Sequence, residues 1–140
     1  MAEQTFNQEF KGFVREPNKG SLPSTGGIYC VHECTYNTSE STVTLHKIIY
    51  IGESEDINDR VNNHERLKDW QKHVRAGNEL CYSYTTIGSN DRERVEAAFI
   101  SHHRPIENTE YKDSFPFDKT IVKSSGRIGL LQDFFVANRK

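Results

Sequence analysis

The chain has 140 residues and a formal net charge of -2 at pH 7, with 34% hydrophobic, 27% charged and 11% aromatic residues. This length predicts one domain, the aromatic content argues against wholesale disorder, and no apolar run approaches the roughly 20 residues of a membrane helix. The near-neutral charge excludes a uniformly basic nucleic-acid binder, whereas an enzyme with a local basic patch remains compatible with it.

The first 25 residues are predicted to form a helical extension and a linker, and residues 26–140 one domain. Phe6, Phe10 and Phe13 recur at helical spacing, which predicts a short amphipathic helix. The early acidic residues and the lack of a continuous apolar stretch argue against a secretory signal. The odd number of three cysteines favours reduced thiols, so we expect a cytoplasmic protein without a membrane segment.

Three strands are predicted at residues 27–35, 43–52 and 80–87, where Ile, Tyr, Val and Thr are frequent. The first two are expected to pair as a hairpin around the polar loop 36–42. The residues between the second and third strands have the spacing of a helix that starts near Asp56.

The helices have recognisable termini. Ser54 is placed to cap the helix that starts near Asp56, and Asn90 with Glu93 resembles a capping box for the next helix. A last helix is predicted from an apolar face formed by Ile128, Leu131, Phe134 and Phe135. This order of elements predicts an α+β fold, with a small antiparallel sheet of about three strands flanked by helices.

Charge is segregated along the chain. Residues 33–59 carry a net charge of -5, residues 60–75 a net charge of +3 and residues 119–140 a net charge of +4. Arg60 and His64 are four residues apart and would share one helix face, continued by Lys68, Lys72 and Arg75. Such a row suits a phosphate backbone, but it is also typical of a solvated helix face that forms ordinary ion pairs.

Three further residues have side chains suited to chemistry. Glu96 is predicted in mid-helix beside apolar residues, where a carboxylate pairs with a cation, binds a hard metal ion or is simply exposed. Tyr29 and Tyr50 lie on neighbouring predicted strands, where tyrosine is also common as a core residue. Neither pattern alone decides between a structural and a functional role.

Several motifs follow one another in a recognisable order. The tripeptide Gly27-Ile28-Tyr29 opens the first strand and Tyr50-Ile51-Gly52 closes the second, and behind them come Arg60, His64, Glu96 and Asn108. From Gly27 to about Asn108, this combination resembles the GIY-YIG nuclease family. The resemblance implies the GIY-YIG nuclease fold and an endonuclease that hydrolyses DNA phosphodiester bonds with one divalent cation, Mg²⁺ or Mn²⁺.

The resemblance also implies roles for these side chains. Tyr29 would activate the attacking water as general base, and Tyr50 would position the water or the phosphate, although the residues leave open which tyrosine does which. Because a free phenol has a pKa near 10, either the charges of Arg60 and the metal favour the phenolate, or His64 accepts its proton. Glu96 would be the sole protein carboxylate on the metal.

Supporting roles are expected at two more motif positions. Gly52 would leave room for the approaching phosphate where the strand gives way to the helix of Arg60. Asn108 would either pin its loop or contact the substrate. The resemblance further favours a functional role for Arg60, in contact with DNA, and for His64. For Lys68, Lys72 and Arg75, contact with DNA and a solvated helix face remain equally open.

The chain departs from many family members in its hairpin, since twenty residues separate Tyr29 from Tyr50. Longer hairpins occur in the restriction-enzyme branch of the family, which favours that branch. No second DNA-binding module is recognisable, so a compact stand-alone nuclease is predicted. Cleavage of both DNA strands would then require a homodimer or successive nicks. Two alternatives are a non-catalytic nucleic-acid-binding or regulatory domain that retains the fold, and an RNA-binding domain that stacks bases on Tyr82 and Tyr84.

Overall fold

A computed structural model describes residues 2–140. Within this range the strands are β1 (Gln4–Arg15), β2 (Gly27–Asn37), β3 (Thr42–Ser54), β4 (Glu79–Thr86), β5 (Thr120–Gly126) and β6 (Phe134–Ala137). The helices are α1 (Ile57–Asn62), α2 (Leu67–Gln71) and α3 (Arg92–His103), and a short 3₁₀ helix (Glu16–Ser21) joins β1 to β2. None of the described helices is long and apolar enough to cross a membrane.

The six strands form one mixed sheet in the order β3-β2-β4-β1-β5-β6. The β1–β5 pair is parallel and the other pairs are antiparallel. The predicted fold class, a small antiparallel sheet of about three strands, is therefore wrong. Those three strands exist as β2, β3 and β4, but β1, β5 and β6 double the width of the sheet.

The predicted N-terminal helix is also wrong, because this segment is the central strand β1. Phe6 and Phe10 are four residues apart, a spacing that fits both one helical turn and two strand repeats. Gln8 and Phe10 are buried and Phe6 is partly buried, which is the alternation of a strand. Pairing with both β4 and β5 decides the conformation, and it satisfies backbone groups on both sides of the strand.

The predicted C-terminal helix is replaced by β5, a loop and β6. Gly126 and Gly129 have positive φ angles of 77° and 56°, so the backbone cannot continue as a right-handed helix there. Leu131 and Phe135 still reach the core, whereas Phe134 is 53% exposed. The apolar residues were correctly recognised, but their spacing belongs to a turn and an edge strand.

The helix predicted to start near Asp56 is broken into α1 and α2. Asp56 is the N-cap residue and its side chain accepts a hydrogen bond from the Asp59 backbone N–H, whereas the Ser54 hydroxyl bonds to Asp56 itself. The break between Asn62 and Leu67 removes the single helix face on which Arg60 and His64 were predicted to lie.

The capping box predicted for α3 is not formed. Asp91 occupies the N-cap position without a side-chain cap, and the Glu93 carboxylate instead accepts a hydrogen bond of 2.7 Å from the Tyr111 hydroxyl. The helix ends, as predicted, just before Pro105, with Arg104 in a left-handed conformation.

Two apolar clusters cover the two faces of the sheet. Phe10, Phe99 and Phe135 belong to the cluster under α3, whereas Tyr29 and Trp70 belong to the cluster under α1 and α2. Residues carried by α1 and α3 are thus separated by the sheet, and they can approach each other only around its β3 edge. This edge is where the candidate site lies.

Candidate active site

Tyr29 and Tyr50 lie on neighbouring strands with their ring centroids 6.2 Å apart. Tyr50 pairs with Val31 and Ile48 pairs with His32, so Ile49 is an extra residue in β3 and forms a β-bulge. As a result, Ile49 and Tyr50 both pack in the cluster of Tyr29 instead of alternating. Tyr50, two residues before the Tyr29 partner Gly52, lies on the Tyr29 face by regular alternation, and the bulge adds Ile49 to the same face.

Gly52 is required by the packing of Tyr29. The two residues face each other across β2 and β3, and a Cβ atom on residue 52 would overlap both Cζ and the hydroxyl oxygen of Tyr29. It would also lie 2.9 Å from Cε2 of Tyr50. The glycine therefore makes room for the two tyrosine rings, a different reason from the predicted approach of a phosphate.

His64 lies between α1 and α2 and is buried against aromatic rings. Its ring centroid is 6.2 Å from that of Tyr29, 5.6 Å from that of Tyr50 and 4.4 Å from that of Trp70. The backbone N–H of Arg66 donates to Nδ1 at 3.1 Å, so the proton of the neutral ring is on Nε2. Within residues 2–140 this Nε2 has no hydrogen-bond partner.

Burial and the positive charges of Arg60 and Arg66 lower the pKa of His64 to about 4. The ring is therefore neutral near pH 7, and the nitrogen that could accept a proton is already occupied. Of the two ways considered for activating Tyr29, transfer of its proton to His64 is disfavoured. His64 is instead arranged as a hydrogen-bond donor through Nε2.

Arg60 has its guanidinium group occupied by an exposed carboxylate. Nη1 and Nη2 donate to the two carboxylate oxygens of Glu65 at 2.8 and 3.0 Å, the forked geometry that also suits a phosphate. Burial, followed by the neighbouring Tyr50, raises the pKa of Tyr29, and the charge of Arg60 offsets this only in part. Tyr29 is therefore protonated in the free protein.

Glu96 approaches the site from α3, on the other face of the sheet. It lines a cavity of about 210 Å³ together with Tyr50, Arg66 and Asn108. Burial, followed by the negative charge of Glu53, raises the pKa of Glu96 to about 8. Two further carboxylates contribute in the same direction, Glu110 and Glu93.

This concentration of negative charge fits a bound cation. Arg92 neutralises Glu53 through an ion pair of 2.9 Å, but no ion pair within residues 2–140 involves Glu96. The described residues contain no group of three or more His, Cys, Asp or Glu side chains that could hold a metal by themselves. A single carboxylate suits Mg²⁺, which usually keeps several waters and binds substrate phosphate oxygens.

Asn108 fastens its loop to the free edge of β3. Its side-chain amide accepts from the Ile51 N–H and donates to the Ile51 carbonyl oxygen, both at 2.9 Å, and the Glu107 N–H donates to the Ile49 carbonyl at 2.9 Å. The loop therefore bonds to the backbone on both sides of Tyr50. This geometry supports the pinning role considered for Asn108.

Sequence reasoning missed a second connection around Tyr50. The Glu107 carboxylate bonds to Nη2 of Arg66 at 2.5 Å and to Nε2 of His73 at 2.6 Å, which ties the loop to residues on both sides of α2. The Arg66 guanidinium lies 5.5 Å from the centroid of the Tyr50 ring. Arg66 was visible within the basic segment 60–75, but nothing local in the sequence pairs it with Glu107, 41 residues later.

The predicted DNA-binding lysines and arginine do not form one continuous helical row. Lys68 lies on α2, whereas Lys72 and Arg75 follow it. Lys72 forms an ion pair of 3.1 Å with Asp69, and Arg75 donates from its backbone N–H and Nε to the buried Glu33 carboxylate at 2.8 and 3.0 Å. Contact of these three residues with DNA remains a prediction.

Comparison with known proteins adds one finding. The family model of the GIY-YIG catalytic domain matches residues 27–112, which is 86 of the 140 residues. Neither the curated proteins nor the solved structures give a match. The matched segment contains every motif residue described above and leaves out β1, β5 and β6. Members of this family are generally endonucleases. The chain belongs to the GIY-YIG catalytic-domain family.

Proposed function

We propose that this protein is a metal-dependent endonuclease that hydrolyses phosphodiester bonds of DNA. The observation that carries the proposal is the meeting of Tyr29, Tyr50 and His64 beside a cavity that Tyr50 shares with Glu96. Side chains from both faces of the sheet converge at this edge. Family membership favours a phosphodiester as the substrate, and the local cations Arg60 and Arg66 are compatible with its charge.

Glu96 is the residue that would hold one divalent cation, Mg²⁺ or Mn²⁺. Its carboxylate is partly buried, it lies among other carboxylates, and its raised pKa shows that the negative charge there is poorly compensated. When bound, such an ion supplies Lewis-acid polarisation of the scissile phosphate and stabilisation of the leaving 3′ oxygen.

Tyr29 is the proposed general base. Its hydroxyl lies beside Gly52 and close enough to Arg60 for the guanidinium charge to favour the phenolate. Removing its proton still requires more positive charge than the free protein supplies, so we expect Tyr29 to ionise only in the loaded complex. Tyr50, less buried and on the rim of the Glu96 cavity, would then position the attacking water or the phosphate.

Arg60 and His64 would bind the phosphate group as donors. A phosphate can replace the Glu65 carboxylate on the Arg60 fork without a change in the geometry of the guanidinium group. The Nε2–H of His64 is a further donor beside the two tyrosines, and a substrate oxygen or the Tyr29 phenolate would satisfy it.

The proposal is tested by incubating the purified protein with plasmid DNA and Mg²⁺ or Mn²⁺. We expect nicking or cutting that requires the divalent ion. Glu96→Gln and Arg60→Ala should each abolish it, and Arg60→Ala should also weaken DNA binding. Glu55→Gln, which alters an exposed carboxylate that does not line the Glu96 cavity, should still cut.

The outcomes separate the candidate functions. Failure of the wild type to cut duplex, branched or single-stranded DNA would contradict the proposal that the protein is an endonuclease. Retained DNA binding in that case would favour the non-catalytic alternative. Sequencing the cut ends from a diverse DNA library would then distinguish sequence-specific from structure-specific cleavage.

A further inference from the structure

The strand β1 extends the catalytic sheet beyond the segment that matches the family. It lies between β4 and β5, and its residues are in register with the site. Tyr29 pairs with Tyr84 across β2 and β4, and Tyr84 pairs with Lys11 across β4 and β1. A straight row therefore runs across three strands from the proposed base to Lys11.

These three side chains lie on one face of the sheet. Directly opposed residues in antiparallel strands point to the same side, and Tyr29 and Tyr84 both pack with the cluster under α1 and α2. Lys11 and Tyr84 also line one groove of about 230 Å³. Because neighbouring strands are about 4.8 Å apart, the backbone of Lys11 lies about 10 Å from the backbone of Tyr29, two strands away.

Further cations continue this row onto the C-terminal part of the sheet. Arg127 and Lys11 line a second groove of about 520 Å³, with Glu9 as an acidic neighbour. Lys123 lies on β5 between the buried Val122 and Ser124, so it points away from the core cluster under α3. Lys11, Lys123 and Arg127 are together called the flanking strip.

The flanking strip differs from the basic segment that the sequence singled out. Within residues 2–140, Lys11, Lys123 and Arg127 form no ion pair, whereas Lys72 and Arg75 are paired with carboxylates. An unpaired cation releases more free energy on meeting a phosphate, because no carboxylate has to be displaced first. Within the same range Lys68 is likewise without an ion pair, so the flanking strip adds unpaired positive charge outside the family domain, at residues that lie on β1 and β5 or directly follow β5.

We propose that the flanking strip binds the phosphate backbone of duplex DNA beside the cleaved bond. The proposal rests on the proposed nuclease function and deepens it by naming a second contact with the same substrate. Charge complementarity and the uninterrupted row from Tyr29 to Lys11 both favour DNA as the occupant. At about 3.4 Å per nucleotide, the 10 Å separation places Lys11 about three nucleotides from the scissile phosphate.

The test measures DNA binding as a function of salt in a Glu96→Gln background, so that cleavage does not interfere. On a long duplex, Lys11→Ala should make the slope of log K against log salt shallower by about 0.9, the value for one lost phosphate contact. Arg127→Ala should act in the same direction, and Lys11→Arg should restore the original slope. Lys140→Ala removes the same charge from the groove beside His102, on the α3 side, and should leave the slope unchanged.

Shortening the duplex locates the contact. We next consider a duplex that ends within about one nucleotide of the cleaved bond, on the side of the flanking strip. On this DNA, the Glu96→Gln protein should bind with the same affinity with and without Lys11→Ala. Equal slopes of log K against log salt for these two proteins on the long duplex would overturn the proposal. Such a result, combined with metal-dependent cleavage by the wild type, would leave the proposed function standing and remove only the flanking strip.

Discussion

The candidate site has two walls, which differ in how burial and neighbouring charges shift the pKa values of their side chains. The aromatic wall consists of Tyr29, Tyr50, His64 and Trp70, and burial keeps its titratable groups neutral by raising the pKa of the tyrosines and lowering that of His64. The acidic wall consists of Glu96 with Glu53, Glu93 and Glu110, and mutual repulsion adds to burial there. Burial therefore keeps the aromatic wall neutral, whereas in the acidic wall Glu96 is mainly protonated near pH 7 until a cation compensates its charge.

This difference shows which parts of the reaction the chain supplies by itself. In the aromatic wall, the hydrogen-bond donor of His64 and the still protonated Tyr29, the proposed base, are held in place without a ligand. Under the proposed function, a cation would stabilise the acidic wall and a phosphate would replace Glu65 on Arg60. Binding of metal and substrate would then complete the site.

The largest effect on the aromatic wall is expected from Gly52→Ala. The new methyl group would displace the Tyr29 ring, which should lower cleavage by at least about 100-fold and the free energy of unfolding by about 1–3 kcal/mol. Gly20→Ala is the matched control, because a Cβ there meets nothing within 4 Å. Cleavage rates and urea unfolding measure the two effects, and wild-type cleavage by Gly52→Ala would show that Tyr29 is not held where we describe it.

A smaller effect tests whether His64 donates or accepts a proton. His64→Ala removes the Nε2–H and should slow cleavage by about 10–100-fold, the equivalent of one hydrogen bond to a charged group. His64→Gln keeps an N–H donor and should remain within about tenfold of wild type. Single-turnover rates measure both variants. Equal losses in the two variants would instead favour a basic role for the imidazole ring.

The third effect is on stability at low pH and does not concern cleavage. The pKa of His64 is about 4 in the folded protein and near 6.5 in the unfolded chain, so between these values the unfolded state binds more protons. The contribution of His64 to stability is complete above pH 6.5 and is lost as the pH falls towards 4, by about 3 kcal/mol in total.

Urea unfolding at several pH values measures this loss. His64→Gln should reduce the dependence of unfolding free energy on pH between 6.5 and 4, whereas His46→Gln, at an exposed position, should not. His32 and His103 should also contribute to the loss of protein stability in this pH range, since burial lowers the pKa of each to about 4. An unchanged slope in His64→Gln would mean that the ring is accessible to protons in the folded state.

The sequence singled out residues that lie close together in the structure, but it did not predict the fold around them. Motif spacing identified residues that the structure brings to the β3 edge, because a tyrosine at the end of a strand and an arginine in the following helix are linked by local geometry. The bulge at Ile49 and the Glu107–Arg66 contact were not predictable, since they depend on strand register and on residues far apart in the chain.

The missing strands have a similar explanation. The spacing of Phe6 and Phe10 fits helix and strand equally, and only the pairing with β4 and β5 selects the strand. The parallel partners Gln4 and Thr120 are separated by most of the chain, so no local sequence pattern predicts their pairing. Longer-range pairing also placed Lys11 beside Tyr84, which the charge pattern of the segment could not indicate.

The central claim is that Glu96 holds the divalent cation, and its most direct test is calorimetric titration of Mn²⁺ into the DNA-free protein. We predict binding to the wild type and to Glu55→Gln, whose carboxylate is exposed and does not line the cavity, and at least a tenfold loss of affinity in Glu96→Gln. Equal affinity of wild type and Glu96→Gln for Mn²⁺ would contradict the account.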